Sequence, residues 1–185
     1  MKKRVFIIHG WGGGPECACL PWLKNKLEEN GFEVFAPKMP NTDEPEISEW
    51  VNYLAELVDT PDKQTYFIGH SIGCQAIMRY LQTINQKVGG AIFIAGWFML
   101  KNLEPEEITI AAPWVKNNIN FEKLKKVSEN YVEIISDNDP FGGFEENKRI
   151  FFEELGAKLI VLKNAGHIED LELPIALEEL IRISK

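Results

Sequence analysis

The sequence predicts an α/β fold: a parallel, doubly wound sheet of about six strands with helices on both faces. Two observations carry the prediction. Short apolar runs alternate with longer amphipathic ones from end to end, the order that crossover helices between parallel strands require. The 185 residues, 45% hydrophobic and 26% charged, suit one sizeable core, with no linker, repeat or low-complexity tract to suggest more than a single domain over 1–185.

Taken in order, Arg4-Val5-Phe6-Ile7-Ile8 is a short apolar strand that runs into His9-Gly10-Trp11-Gly12-Gly13-Gly14. A helix near 20–30 precedes a second strand near 33–36. Over 46–58, Ile47, Trp50, Val51, Leu54, Leu57 and Val58 form one apolar stripe at helical spacing. A third strand spans about 65–69. The helix after it, near 72–84, is apolar on most sides, as expected of a helix buried beneath a site. A strand near 91–95 leads into an irregular stretch from Gly96 to Asn120. Helices near 121–128, 144–155 and 174–183 then alternate with strands near 131–135 and 158–162, and Gly156 after Leu155 stops the second of these helices.

Gly69-His70-Ser71-Ile72-Gly73 lies at the junction of the third strand and its helix and spells G-x-S-x-G. A serine in such a nucleophile elbow sits in a strained turn with its hydroxyl exposed, and the flanking glycines avoid collisions with neighbouring backbone. The order along the chain extends the pattern. An acid and then a histidine are expected at later strand ends, because successive strands deliver them to one edge of the sheet. His167 is the one histidine after the elbow, in Asn164-Ala165-Gly166-His167. Val132-Glu133-Ile134-Ile135 runs into Ser136-Asp137-Asn138-Asp139-Pro140-Phe141 and offers two aspartates. Asp139, at the Asp-Pro step, is the expected partner of His167, and Asp137 is expected to form an Asx-turn that shapes the loop. Glu169 and Asp170 follow His167 too closely to face its far nitrogen.

The glycine-rich loop after the first strand lets backbone N–H groups turn toward a substrate carbonyl. The amides of Trp11 and Ile72 are the expected oxyanion donors. A dinucleotide fingerprint on Gly10 and Gly12 fails, because its third glycine is missing, bulky Trp11 occupies the turn, and no acid ends the second strand. His9 and His70 are expected to be structural hydrogen-bonding residues.

These residues together resemble a small α/β-hydrolase of the retinoblastoma-binding protein nine family. The resemblance runs nearly end to end, through His9-Gly10-Trp11-Gly12, the Ser71 elbow, Asp139-Pro140-Phe141 and Gly166-His167. It implies a compact α/β-hydrolase fold and a triad of Ser71, Asp139 and His167. The L-x-C-x-E motif that binds the retinoblastoma pocket is absent, so that partner is not carried over.

By position the stretch over 96–120 belongs above the catalytic edge, as a small flap. Trp97, Phe98 and Trp114 are expected to supply an apolar wall of the substrate pocket with Trp11 opposite; the alternative is that both flap tryptophans pack the core. The formal net charge of −8, spread over solvated helical faces, argues against a nucleic-acid partner. The apolar run after Met1-Lys2-Lys3-Arg4 is too short for a signal peptide and no membrane span follows. Cys17, Cys19 and Cys74 make an odd count, which points to a reducing cytoplasm. Cys17-Ala18-Cys19 lacks the further ligands a metal site needs, and no metal or cofactor is expected. The expected chemistry is acyl transfer to water on a small acyl ester, with amide or thioester cleavage as alternatives. A silent hydrolase fold kept as a binding module is the rival of another class.

Overall fold

The computed structural model describes residues 2–185; Met1, the start of the basic N-terminal run, lies outside them. The strands are β1 (Arg4–Ile8), β2 (Glu33–Phe35), β3 (Thr65–His70), β4 (Gly90–Ile94), β5 (Tyr131–Ser136) and β6 (Lys158–Leu162). They form one sheet in the order β2-β1-β3-β4-β5-β6, and every pairing is parallel. The helices are α1 (Leu20–Glu29), α2 (Ile47–Val58), α3 (Ile72–Leu81), α4 (Pro105–Lys116), α5 (Phe121–Val127), α6 (Phe144–Arg149), which continues as a π-helix over Ile150–Leu155, and α7 (Pro174–Ile183).

Strand alternation sorts the core into two layers. Phe6, Ile8, Phe67 and Phe93 point to one face, where Trp50 and Leu54 of α2, the apolar side of α3 and Phe151 of the π-helix cover them. Val5, Ile7, Ile68 and Ile92 point to the other, beneath Leu23 and Leu27 of α1 and Leu180 of α7. Each central strand is covered on both faces, which explains why these strands read as continuous apolar runs.

The strand order reverses direction between β1 and β3. Open α/β sheets bind ligands at such a switch point, outside the carboxyl ends of the strands. The glycine-rich loop leaves β1 there and Ser71 leaves β3 there.

The stretch over 96–120 differs from the irregular flap expected of it. It contains α4, whose first residue is Pro105; the Glu104 amide donates to Glu107 Oε2 at 2.8 Å, which closes the first turn. Pro113 lies inside this helix and hides it from a reading of the sequence, because proline removes a helical donor. Only Ala111 and Trp114 of α4 are buried, so the helix is anchored through its C-terminal half. Helix α3 ends at Leu81, short of the expected boundary.

Candidate active site

Ser71 stands between β3 and α3 with φ 53° and ψ −120°, a conformation that costs a non-glycine residue energy and persists only where its surroundings impose it. The surroundings are the two glycines. A Cβ on Gly69 would lie 2.7 Å from the Cys74 amide nitrogen, and one on Gly73 would meet the carbonyl oxygens of Ile8 and His9. Helix α3 therefore packs directly on the backbone of β1 and its exit. The Ser71 amide donates to the Ile94 carbonyl at 2.9 Å and ties the elbow to β4 as well.

Asp139 and His167 meet on the same edge. His167 Nδ1 donates to Asp139 Oδ2 at 2.7 Å, with both side chains largely buried; this fixes the tautomer and leaves Nε2 as the basic nitrogen. Asp139 Oδ1 accepts from the Phe141 amide at 2.9 Å. Asp137 does something else: its Oδ1 accepts from the Asn164 amide at 2.8 Å.

That bond is one of three that lace the two loops together. The Ala165 amide donates to Ser136 Oγ at 3.1 Å, and the Gly166 amide donates to Asn138 Oδ1 at 2.8 Å. Three consecutive amides before His167 are thus held by three consecutive side chains before Asp139. Ser136 and Asn138 are positioning residues that the sequence reading did not single out, since their partners lie nearly thirty positions away. Ile168, directly after His167, has φ 54° and is fully buried. A β-branched residue with positive φ is strained, and its burial in the α1/α7 layer holds the strain.

His9 and His70 are structural. His9 Nδ1 donates to the Gly10 carbonyl at 2.7 Å and Nε2 accepts from the Met39 amide at 2.9 Å; burial lowers its pKa, and the bonds require the neutral ring. His70 Nε2 donates to the His167 carbonyl at 3.2 Å. Burial, then the neighbouring His167, lower the His70 pKa to about 4, so this ring stays neutral while it holds the His167 backbone.

Ser71 and His167 line one cavity of about 670 Å³, together with Trp11, Trp97, Leu100 and Phe141. The volume suits a small ligand. Trp11 Nε1 donates to the Asp43 carbonyl at 2.8 Å, which fixes its indole on the cavity wall. Among the described residues, the Gly12 amide is engaged by the Thr42 carbonyl at 2.8 Å, whereas the Trp11 and Ile72 amides have no protein acceptor.

Two of the expected wall residues are elsewhere. Trp114 is turned into the core, where it stacks edge-on with Trp50 and its Nε1 donates to the Pro45 carbonyl at 2.9 Å. Phe98 packs on Phe121 and Phe151. Neither lines the catalytic cavity. The reason is local: Phe98 is committed to the aromatic cluster of Phe121 and Phe151, and Trp114 is the anchor of α4. Leu100, Leu103 and Phe141 line the cavity wall instead.

The segment Gly96 to Met99 is clamped by buried polar side chains from three elements. Glu133 Oε1 on β5 accepts from the Gly96 amide at 2.9 Å, and Gln75 Nε2 on α3 donates to the Trp97 carbonyl. Asn147 Oδ1 on α6 accepts from the Phe98 and Met99 amides, both at 2.8 Å, and its Nδ2 donates to the Met99 carbonyl at 3.0 Å. All three side chains are at most 1% exposed.

This fold, with a serine elbow at the switch point and an Asp–His pair on the same edge, defines the α/β-hydrolase class. The family model described as serine hydrolase matches residues 5–172, and the chain belongs to that family. The Bacillus subtilis protein YdeN is 28% identical over an alignment of 186 positions that covers 97% of this chain and 95% of YdeN. Serine hydrolase RBBP9 of Rattus norvegicus is 29% identical over 180 residues, 96% of this chain and 86% of its own. Among solved structures, the B. subtilis ydeN gene product matches with a TM-score of 0.89 at 25% identity, covering 98% of each chain. A monoacylglycerol lipase from Paleococcus ferrophilus shares the fold with a TM-score of 0.76 at 16% identity, over 100% of this chain and 96% of its own.

Proposed function

We propose that this hydrolase cleaves small acyl esters through Ser71, His167 and Asp139. His167 Nε2 takes the Ser71 proton as Oγ attacks the carbonyl, and Asp139 holds the ring and stabilises the imidazolium. The Trp11 and Ile72 amides receive the oxyanion, aided by the N-terminal dipole of α3. Collapse of the adduct breaks the ester C–O bond, the alcohol leaves with the proton from His167, and water then hydrolyses the acyl-enzyme by the same route. The observation that carries this reading is the 2.7 Å bond from His167 to Asp139 on the cavity that Ser71 also lines. Labelling with a fluorophosphonate probe tests it: wild type should label and Ser71→Ala should not. Equal labelling of a folded Ser71→Ala protein would refute it.

A second reading, amide or aminopeptidase-like cleavage, is favoured by Glu107 and Glu169, which line the same cavity and could face a substrate amine. A panel of aryl esters and amides, with and without a free amine, separates the two. Among the described residues no helix is long and apolar enough to cross a membrane. We propose a cytoplasmic location, with which the free thiols of Cys17, Cys19 and Cys74 are compatible.

A further inference from the structure

Trp97 is 2% exposed, yet its indole forms part of the cavity wall and its Nε1 donates to Ser71 Oγ at 3.4 Å. An apolar wall residue does not need a buried polar clamp. Here Glu133, Gln75 and Asn147 all bond the backbone of residues 96–99, although burying such groups is costly and Glu133 Oε2 and Gln75 Oε1 are left without a partner. The clamp spans β5, α3 and α6 and fixes the segment on both sides of the indole. It ties the segment to α3, the helix that also carries the elbow, so that Trp97 and Ser71 are held in one frame.

We propose that Trp97 is a catalytic residue whose indole N–H stabilises Ser71 Oγ as a leaving group during deacylation. The inference rests on the serine-hydrolase reading above. In acylation the Oγ–H proton passes to His167 Nε2 while the Oγ–C bond forms; the adduct then collapses, the bond from carbon to the alcohol oxygen breaks, and the alcohol leaves with that proton. A donor on Oγ eases loss of the proton but ties up electron density needed for attack, so its two effects oppose each other. In deacylation water adds to the acyl carbon and gives its proton to His167; the C–Oγ bond then breaks, its electron pair returns to Oγ, and His167 delivers the proton there. A donor already on Oγ helps that departure. The indole keeps its own proton throughout.

The test is pre-steady-state hydrolysis of a p-nitrophenyl ester by wild type and Trp97→Phe, which keeps an aromatic wall and removes the N–H. A neutral hydrogen bond predicts deacylation slowed roughly fivefold to tenfold, with acylation and fluorophosphonate labelling within about twofold. The product burst should rise toward one equivalent per active site as acyl-enzyme accumulates. If Trp97→Phe does not fold, site-specific incorporation at position 97 of an indole isostere with sulfur in place of N–H makes the same comparison. Unchanged turnover and burst in a folded variant, or a rise in KM alone, would overturn the proposal and leave the serine-hydrolase reading standing. Failure of wild type to label with the fluorophosphonate would take down both.

Discussion

Gly73→Ala tests the packing that creates the elbow. The added methyl would lie 2.7 Å from the His9 carbonyl oxygen and nearer still to that of Ile8, where ordinary contact begins at 3.4 Å. Strand β1 is hydrogen-bonded to β2 on one side and β3 on the other, so it cannot yield. Helix α3 has to move outward by at least about 0.7 Å, and it carries the Ile72 amide and the end of the elbow with it. Overpacking of this kind costs about 1–3 kcal/mol, and a displacement near 1 Å at a reacting group costs on the order of 100-fold in rate. Turnover of an aryl ester should therefore fall on the order of 100-fold in a protein that still folds, its loss of about 1–3 kcal/mol read by urea unfolding of the same preparation. Gly156→Asn is the control: Gly156 has φ 76° with nothing within 4 Å of a Cβ, and asparagine tolerates that conformation at small cost. A Gly73→Ala protein with wild-type stability and turnover would refute the reasoning.

Asp139→Asn should lower turnover by about ten-thousand-fold with the fold intact, whereas Asp137→Asn should cost about 1 kcal/mol of stability and little chemistry; single-substrate kinetics beside thermal melts decides between them. Asn147→Ala leaves two amides and one carbonyl of the Trp97 segment without partners and should destabilise by about 3 kcal/mol, read by urea unfolding; a loss below about 1 kcal/mol would show that the clamp is dispensable.

The strands and the order of the site residues were legible because each is written locally: an apolar run, a G-x-S-x-G junction, an acid and a histidine just past later strands. What the sequence hid acts at a distance. Asn147 and Gln75 look like ordinary polar helix residues, and only the fold turns them toward the Trp97 segment. Glu133 sits in an otherwise apolar run, where a two-sided buried strand gives no clue that a carboxyl enters the core. Helix α4 escaped notice because Pro113 interrupts it and because glutamate is an unusual residue to open a helix. The placement of Phe98 and Trp114 could not follow from chain position, which locates a segment over an edge but does not say which way its side chains turn.

The buried Glu133 and His70 pull stability in opposite directions with pH, and the signs can be separated. His70 is neutral in the folded protein down to about pH 4, while an unfolded histidine takes up its proton near 6.5. Its contribution is therefore complete above 6.5 and is lost as pH falls through that window, by about 3 kcal/mol in total. His9, also lowered by burial, acts in the same sense. Glu133 is raised well above the usual carboxyl range, first by burial and further by the Asp139 charge, against the pull of the Gly96 amide. The unfolded chain releases that proton near 4.5 and the folded one retains it, so stability falls as pH rises. Between about 4.5 and 6.5 the linked protons of Glu133 and His70 oppose each other. Above 6.5 the His70 contribution is complete, and the raised Glu133 carboxyl makes stability fall with rising pH for as long as the folded protein holds that proton. Urea unfolding of wild type at pH 6.5, 7.25 and 8 should show that decline. Glu133→Gln, whose amide oxygen can still accept from Gly96, should abolish it while keeping the Trp97 segment in place. A wild-type profile as flat as that of the variant would mean that Glu133 is ionised in the folded protein.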